Sequence, residues 1–222
     1  MTVQELQDAC RLYGLMTGFD STLARFRASV APGFDPFVPE HRLHLLKWLN
    51  AWACRQFSIK DRPLASASLE AWAGEWLERL PAPDWHLTDL SASEVRTCFE
   101  AYESLGAMPA SRRALPTGKV STVTYGPTGA AKTLFALRPL AVPPWDEPIR
   151  LELQRQGVHS FRAYLARVAE QLRSLSAEAA APVRDLPALI GRPDSSPPKL
   201  IDEYNWIVIT RGINPTALAR QE

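Results

Sequence analysis

The sequence lacks the features that point to several common classes of protein. Its 222 residues include only three cysteines, Cys10, Cys54 and Cys98, which stand far apart and form no CxxC pair. A disulfide framework is therefore poorly supported, and we expect three small core residues in a reducing cytoplasm. The sequence contains no run of about 20 apolar residues, which a membrane-spanning helix would need. The first residues also lack the basic and then apolar pattern of a secretory signal.

Sequence signals for metal and nucleotide sites are also missing. His41 and His44 stand three residues apart on a predicted helix, a spacing that can ligate a metal. No HExxH motif and no nearby carboxylate pair completes such a site. The GxGxxG, GxSxG and GxxxxGK[ST] motifs are absent as well. We therefore expect neither a metal nor a cofactor.

Neither sign of charge dominates the chain, but the charged residues are unevenly distributed along it. The 25 basic and 24 acidic residues give a net charge of +1, which by itself does not indicate a nucleic-acid-binding protein. Residues 61–105 hold nine acids and three bases, whereas residues 106–150 hold six bases and two acids. This pattern predicts either a local cationic patch or simply two solvent faces of different charge.

Apolar spacing of three and four residues predicts a mainly α-helical fold. The tryptophans Trp48, Trp52, Trp72 and Trp76 follow this spacing and are expected in the core. Ser91 and Glu94 are placed to form a capping box. The predicted helices cover Glu40–Phe57, Ser68–Leu80, a third from Ser91 to a stop at Gly106, Phe161–Leu175 and Pro198–Thr210. Residues 179–198, rich in proline, predict a loop.

Strand signals are scarce, and one segment carries most of the chemical interest. Val120–Tyr125 is the only β-like run, so we interpret it as an extended loop, since a lone strand cannot form a sheet. After it, Gly126 to Gly129 predict a tight turn before a short helix over Ala130–Leu137. Small residues there would leave the first N–H groups bare to bind a phosphate, with Lys132 and Thr133 close by. A plain turn between packed helices is the alternative.

The same segment ends in a carboxylate beside an aromatic residue. Pro143 and Pro144 favour an extended backbone before Trp145 and Asp146. Asp146 stands where a new helix would begin, so its side chain can cap that helix. Alternatively, a carboxylate held beside an aromatic wall can stabilise a developing cation or activate water.

Residues 125–150 resemble the helix-hairpin-helix DNA glycosylase superfamily. Pro127 to Thr133 follow its hairpin pattern P-G-[VI]-G-x-K-T, and Asp146 falls on its catalytic aspartate. Thr128 and Ala130 replace two glycines of the pattern, and the interval from Lys132 to Asp146 is a few residues shorter than usual. The absence of a four-cysteine cluster excludes the iron–sulfur branch. More loosely, the chain resembles bacterial glycosylases of antiviral defence that attack modified cytosines, including glucosylated hydroxymethylcytosine, in phage DNA.

The resemblance implies a fold and a reaction. We expect one globular unit over residues 1–222, with two helical subdomains around a cleft. A helical subdomain would cover about 36–110, the hairpin and aspartate segment 120–150, and the C-terminal helices 158–212. The enzyme would flip a modified base out of double-stranded DNA and hydrolyse its N-glycosidic bond, leaving an abasic site. No obligate protein partner is implied.

The resemblance also assigns roles to residues. Asp146 would be the catalytic carboxylate, and Lys132 either a Schiff-base nucleophile, as in bifunctional members with lyase activity, or a phosphate contact. Trp145, Tyr125 and Tyr204 would form the base pocket. Asp202 and Asn205 could line the cleft, although we expect them to face solvent. The residues expected to contact the DNA backbone are Gly126, Thr128, Gly129, Ala130, Lys132 and Thr133, with Arg112, Arg113 and Lys119 in the preceding loop.

Two other functions are consistent with the same residues. A non-enzymatic helical module could bind DNA or a protein through the basic patch, with Asp146 serving only as a helix cap. A toxin–antitoxin or abortive-infection component is a third possibility.

Overall fold

The structure is a computed structural model that describes residues 1–215, and within that range the chain is mainly helical, as predicted. Its α-helices are α1 (Val3–Met16), α2 (Phe19–Ser29), α3 (Pro39–Ala51), α4 (Arg62–Trp76), α5 (Ala92–Ala107), α6 (Gly126–Leu137), α7 (Glu147–Arg155), α8 (Phe161–Ala179), α9 (Leu186–Leu189) and α10 (Pro197–Asn205). Two strands, β1 (Pro109–Ala114) and β2 (Val120–Thr124), pair antiparallel. Among the described residues, none of the helices is long and apolar enough to span a membrane.

The chain divides into two compact units. The terminal unit consists of Met1–Thr17, Pro81–Arg96 and the chain from Arg138 onward. The central unit consists of Gly18–Leu80 and Thr97–Leu137. The segment predicted to hold both hairpin and aspartate is thus divided, since α6 belongs to the central unit and α7 to the terminal unit.

Tryptophans form much of the core of the central unit. Trp48 and Trp52 lie on one face of α3, where their ring centroids are 4.6 Å apart, and Phe26 of α2 stacks on Trp48 at 5.0 Å. The Trp72 indole of α4 donates a hydrogen bond to the carbonyl oxygen of Ala101 at 3.0 Å. These three tryptophans, together with Trp76, are at most 7% exposed. The core role predicted from their spacing is confirmed.

Local signals determine where several helices begin and end. The predicted capping box of α5 is confirmed, because the Glu94 N–H donates to Ser91 Oγ at 3.3 Å and the Ser91 N–H donates to the Glu94 carboxylate at 2.7 Å. Helix α3 stops at Ala51, before the predicted Phe57, since Ala53 adopts a left-handed φ of 64°. The Cys54 N–H then donates back to the Leu49 carbonyl at 2.9 Å, closing the helix end.

The prediction that Val120–Tyr125 is an unpaired loop is wrong. This segment forms β2, and its partner β1 has the sequence PASRRA, whose arginines and small residues give no apolar alternation. The turn between the strands is favourable, with Pro116 at its second position and Gly118 at a φ of 78°. The Gly118 N–H donates to the Leu115 carbonyl at 2.9 Å, and the Leu115 N–H donates to the Lys119 carbonyl at 2.8 Å.

The tight turn predicted at Gly126–Gly129 is also wrong. Helix α6 begins at Gly126, whose left-handed φ of 65° turns the chain sharply out of β2. Pro127 then occupies an early helical position, where its missing N–H removes no helical hydrogen bond. The proline-rich segment 179–198, predicted to be a loop, contains a 3-10 turn at Val183–Asp185 and the short helix α9.

The terminal unit is built around α10. Its residues from Pro197 to Glu203 are all buried, and α1 and α8 pack against it. Beyond α10 the helix continues as a π-helical turn, Trp206–Thr210, where Trp206 meets Tyr13 of α1 edge to face at 5.5 Å. The predicted final helix is therefore confirmed, with a change of helical type at its end.

Candidate active site

Asp146 lies at the position from which α7 starts. Its backbone is extended, with φ −77° and ψ 155°, and its carbonyl oxygen accepts the first helical hydrogen bond from the Arg150 N–H at 2.8 Å. The sequence therefore placed Asp146 correctly at a helix start. Within the described residues, however, its carboxylate accepts no capping hydrogen bond from the first turn of α7. The side chain is half-buried, so a molecule in solvent can reach it.

An aromatic wall stands directly before Asp146. Trp145 is 2% exposed and stacks on Tyr164 of α8, with ring centroids 5.0 Å apart and planes 11° from parallel. Phe161, one turn earlier on α8, extends the wall at 5.5 Å from the Trp145 ring. Tyr164 also donates its hydroxyl hydrogen bond to the Pro144 carbonyl at 3.1 Å, which ties the segment before Asp146 to α8.

The Tyr164 hydroxyl marks a cluster of polar groups within the terminal unit. Burial raises its pKa well above the ordinary value, and the negative charges of Asp202 and Asp146 raise the pKa further. A hydrogen bond with Asn205 acts in the opposite direction. The Tyr164 hydroxyl therefore stays protonated, and its one hydrogen is the one donated to the Pro144 carbonyl.

Asp202 and Asn205 are more deeply buried than expected. We expected both to face solvent, but they are 5% and 6% exposed and lie in the fully packed helix α10. Sequence reasoning also missed Tyr164. Its position three residues after Phe161 on an apolar helix face predicts only a core residue, and its hydroxyl gave no separate signal.

The cluster combines two kinds of acidic group. Asp202 is enclosed, whereas Asp146 is half-exposed at the edge of an aromatic wall and at the positive end of a helix dipole. A carboxylate in such a place can stabilise a cation that develops beside it or can accept a proton from water. The enclosed groups would keep the wall and the start of α7 in position.

The second predicted catalytic residue, Lys132, lies in the central unit and points inward. Its side chain is 3% exposed, and its ammonium donates a hydrogen bond to the Trp52 carbonyl at 2.7 Å. The same ammonium lies 5.3 Å from the centroid of the Trp52 ring. Contact with a phosphate, or attack on a sugar, would require the ammonium to leave this position.

The glycosylase that the resemblance implies is therefore expected to act without a Schiff base at Lys132. Borohydride reduction during reaction with DNA should trap no covalent adduct, because the amine is engaged inside the central unit. Lys132→Met, which keeps the buried stem but removes the charge, should retain base release. Gel electrophoresis of the reduced mixture is the measurement. An adduct that forms with the wild type and disappears in Lys132→Met would contradict the prediction.

The other residues of the predicted DNA-binding hairpin are mostly enclosed. Gly129, Ala130 and Thr133 are buried in α6, whereas Gly126 and Thr128 are partly exposed at its start. A Cβ added at Gly129 would come within 2.9 Å of the Gln56 side-chain nitrogen, so close packing explains this glycine without a phosphate.

The predicted aromatic and basic residues have varied positions. Tyr125 is fully buried in the central unit and donates its hydroxyl hydrogen bond to the Ala65 carbonyl at 2.7 Å, so the structure places it in the core. Tyr204 is half-buried on α10. Arg112, Arg113 and Lys119, predicted in a loop, are exposed on or beside the paired strands β1 and β2.

A buried ion network lies next to the polar cluster on α10. Oε1 of Glu203, which is 0% exposed, accepts hydrogen bonds from Lys199 at 2.6 Å, Arg192 at 3.1 Å and Ser195 at 3.2 Å. Burial, reinforced by the Glu203 charge, raises the pKa of the nearby Cys10 thiol well above its ordinary value. That thiol is therefore protonated and a poor nucleophile. The three cysteines form no disulfide and are buried, as predicted for small core residues.

Within residues 1–215, no group of three or more His, Cys, Asp or Glu side chains is arranged to hold a metal ion.

Comparison with known proteins found no protein-family model, curated protein or solved structure that matches the chain.

Proposed function

We propose that this protein is a DNA glycosylase that hydrolyses the N-glycosidic bond of a modified base, with Asp146 as its catalytic carboxylate. The observation that carries the proposal is the state of Asp146. It is half-buried beside the Trp145–Tyr164 stack, directly before the first residue of α7. The resemblance of residues 125–150 to the helix-hairpin-helix glycosylases supports the same assignment.

The proposed reaction needs one carboxylate and one water molecule. As the bond between C1′ and the base nitrogen breaks, its electron pair leaves with the base, and positive charge develops on the sugar. Asp146 would stabilise that charge or accept a proton from the water whose oxygen bonds to C1′. The base takes up a proton, and the products are a free base and an abasic site.

The helix dipole of α7 supports this role for Asp146. The backbone N–H groups at the start of α7 give that end of the helix a partial positive charge, which attracts a negatively charged carboxylate beside it. Trp145, which is 2% exposed, packs against Tyr164 and leaves little of its own surface for a substrate, so its predicted place in the base pocket is not supported. Tyr164, kept protonated by burial and by two neighbouring carboxylates, would hold the backbone before Asp146 through its bond to Pro144.

The identity of the modified base is proposed from the resemblance alone. We propose phage DNA with modified cytosine, such as glucosylated hydroxymethylcytosine, and a role in antiviral defence. The experiment is to incubate the protein with unmodified plasmid DNA and with phage DNA carrying modified cytosines, and then to label abasic aldehydes. Aldehydes on the modified DNA alone support the proposal. Aldehydes on neither DNA, nor on DNA with damaged bases, would overturn it.

A non-enzymatic DNA-binding module is the second candidate. It is favoured by the basic surface of the central unit, where Arg112, Arg113 and Lys119 are exposed. In that case Asp146 would matter only for folding. DNA binding without aldehyde formation on any substrate would favour this function.

A further inference from the structure

The strands β1 and β2 form a two-stranded ribbon that is packed only at its base. Ala110 and Ser111 are buried, and β1 packs against α4 within the central unit. From Arg112 to Val120 every residue is exposed, including both strand ends and the turn. The outer half of the ribbon therefore extends into solvent.

Hydrogen bonds hold the outer half in one register. Arg112 pairs with Thr122, Arg113 with Ser121, and Ala114 with Val120. The turn is closed by two backbone bonds between Leu115 and the pair Gly118 and Lys119, at 2.9 and 2.8 Å. Because side chains alternate between faces, Arg112, Val120 and Thr122 share one face of the ribbon.

The ribbon carries positive charge only. Between residues 109 and 124 there are three bases, Arg112, Arg113 and Lys119, and no acid. The facing acid is Asp61, at the base of the ribbon, where it accepts a hydrogen bond from Ser58 at 2.7 Å. That bond and the Arg112 backbone N–H lower the pKa of Asp61. The outer bases thus present a surface for an anion.

Apolar side chains accompany these bases at the tip. Val120 is 66% exposed and Leu115 is 38% exposed. A surface that alternates cationic and apolar groups suits a partner with regularly spaced phosphates and with sugar or base edges between them. Stacking on single strands would require aromatic side chains, and the sequence of residues 109–124 contains none.

We infer that this ribbon enters a groove of double-stranded DNA. A two-stranded antiparallel ribbon fits the width of the major groove. Arg112, Arg113 and Lys119 contact phosphates, while Val120 and Leu115 lie against sugar and base edges. The inference rests on the proposed function for its choice of DNA as partner, and it adds an element of the central unit that the proposed reaction does not use.

The test measures the binding of a 20-base-pair duplex at several salt concentrations. The triple variant Arg112→Ala, Arg113→Ala, Lys119→Ala should lower the slope of log affinity against log salt by about 2 to 3, since each lost phosphate contact removes about 0.9. The affinity itself should fall about 10-fold or more. Lys119→Ala alone should lower the slope by about 1, and this single variant still tests the inference if the triple variant folds poorly.

A matched control removes three exposed bases elsewhere. Lys47→Ala, Arg155→Ala, Arg184→Ala makes the same change in net charge at exposed positions. We expect its slope to stay within about 0.5 of the wild-type slope. Equal losses in both triple variants would overturn the inference. So would binding of a single strand, or of polyglutamate, as tight as binding of the duplex.

The two proposals fail in different ways. If ribbon variants lose duplex binding but no substrate yields aldehydes, the ribbon is confirmed and the glycosylase proposal fails. If aldehydes form and depend on Asp146, yet ribbon variants bind as the wild type does, the ribbon inference fails alone.

Discussion

Replacing Asp146 by Asn is expected to lower the rate of base release about 100-fold or more, with little change in stability. The Asp146 carboxylate accepts no capping hydrogen bond from the first turn of α7, so asparagine removes none and α7 should form normally. What disappears is the negative charge beside the developing cation, and the loss of one such electrostatic group costs about 100- to 1,000-fold in rate. The measurement is the rate of aldehyde formation on modified DNA, with circular dichroism as the check on folding.

Glu147 provides the matched control for this variant. It is the next residue, it lies in the first turn of α7, and its side chain is 70% exposed and 3.5 Å from Arg150. Glu147→Gln removes the same charge from the same helix start, and its rate should stay within about 2-fold of the wild type. If Asp146→Asn releases base at the wild-type rate, the charge of Asp146 is not catalytic and its assignment as the catalytic carboxylate fails.

The variant Glu203→Gln should destabilise the protein by about 3 to 5 kcal/mol. Glu203 is completely buried and receives three hydrogen bonds, two of them from cations. Removing its charge leaves Lys199, which is 1% exposed, without the carboxylate that offsets the cost of burying it. Most domains have a total stability of only about 5–15 kcal/mol, so the change should be plain in urea denaturation.

A surface ion pair and a double substitution serve as controls for the Glu203→Gln variant. Glu152→Gln removes a carboxylate 2.9 Å from Arg155, but both side chains are accessible, so the loss of stability should be far smaller than that caused by Glu203→Gln. Lys199→Met with Glu203→Leu replaces the buried pair by apolar groups and should recover much of the lost stability. A loss below about 1 kcal/mol in Glu203→Gln would show that the network is unimportant for folding.

The buried network also bears on the candidate site. Glu203 follows Asp202 directly, and Asn205 lies two residues further along α10. By tying α10 to Arg192 and Ser195, the network holds this helix in the register that brings Asp202 and Asn205 to Tyr164. We assign Glu203 a positioning role and no contact with substrate.

The helices were predictable because their signals are local. Spacings of three and four residues placed Trp48 and Trp52 on one face, and the exchange between Ser91 and Glu94 depends only on neighbours in sequence. The start of α7 directly after Asp146 was predictable for the same reason, since two prolines and an aspartate, a residue type common at helix starts, precede it.

What was missed depends on partners distant in sequence. The strand β1 carries arginines because its outer half faces solvent, so its pairing with β2 leaves no apolar alternation to detect. All residues of helix α10 except Tyr204 are buried, so its polar residues do not mark a solvent face. Lys132 looks like a surface base in sequence, and only its contact with Trp52 shows where its ammonium lies.

The pairing of α1 with α10 has a consequence for synthesis. The Cys10 thiol and the Leu200 carbonyl, which meet at 3.8 Å, are separated by 190 residues of chain. Ribosomes add about 5–20 residues per second, so α1 waits about 10 to 40 s before its packing partner exists. During that time its apolar side chains, among them Leu6, Ala9 and Tyr13, are uncovered and open to chaperones. The central unit, whose residues are all made once Leu137 emerges, can fold while α1 waits.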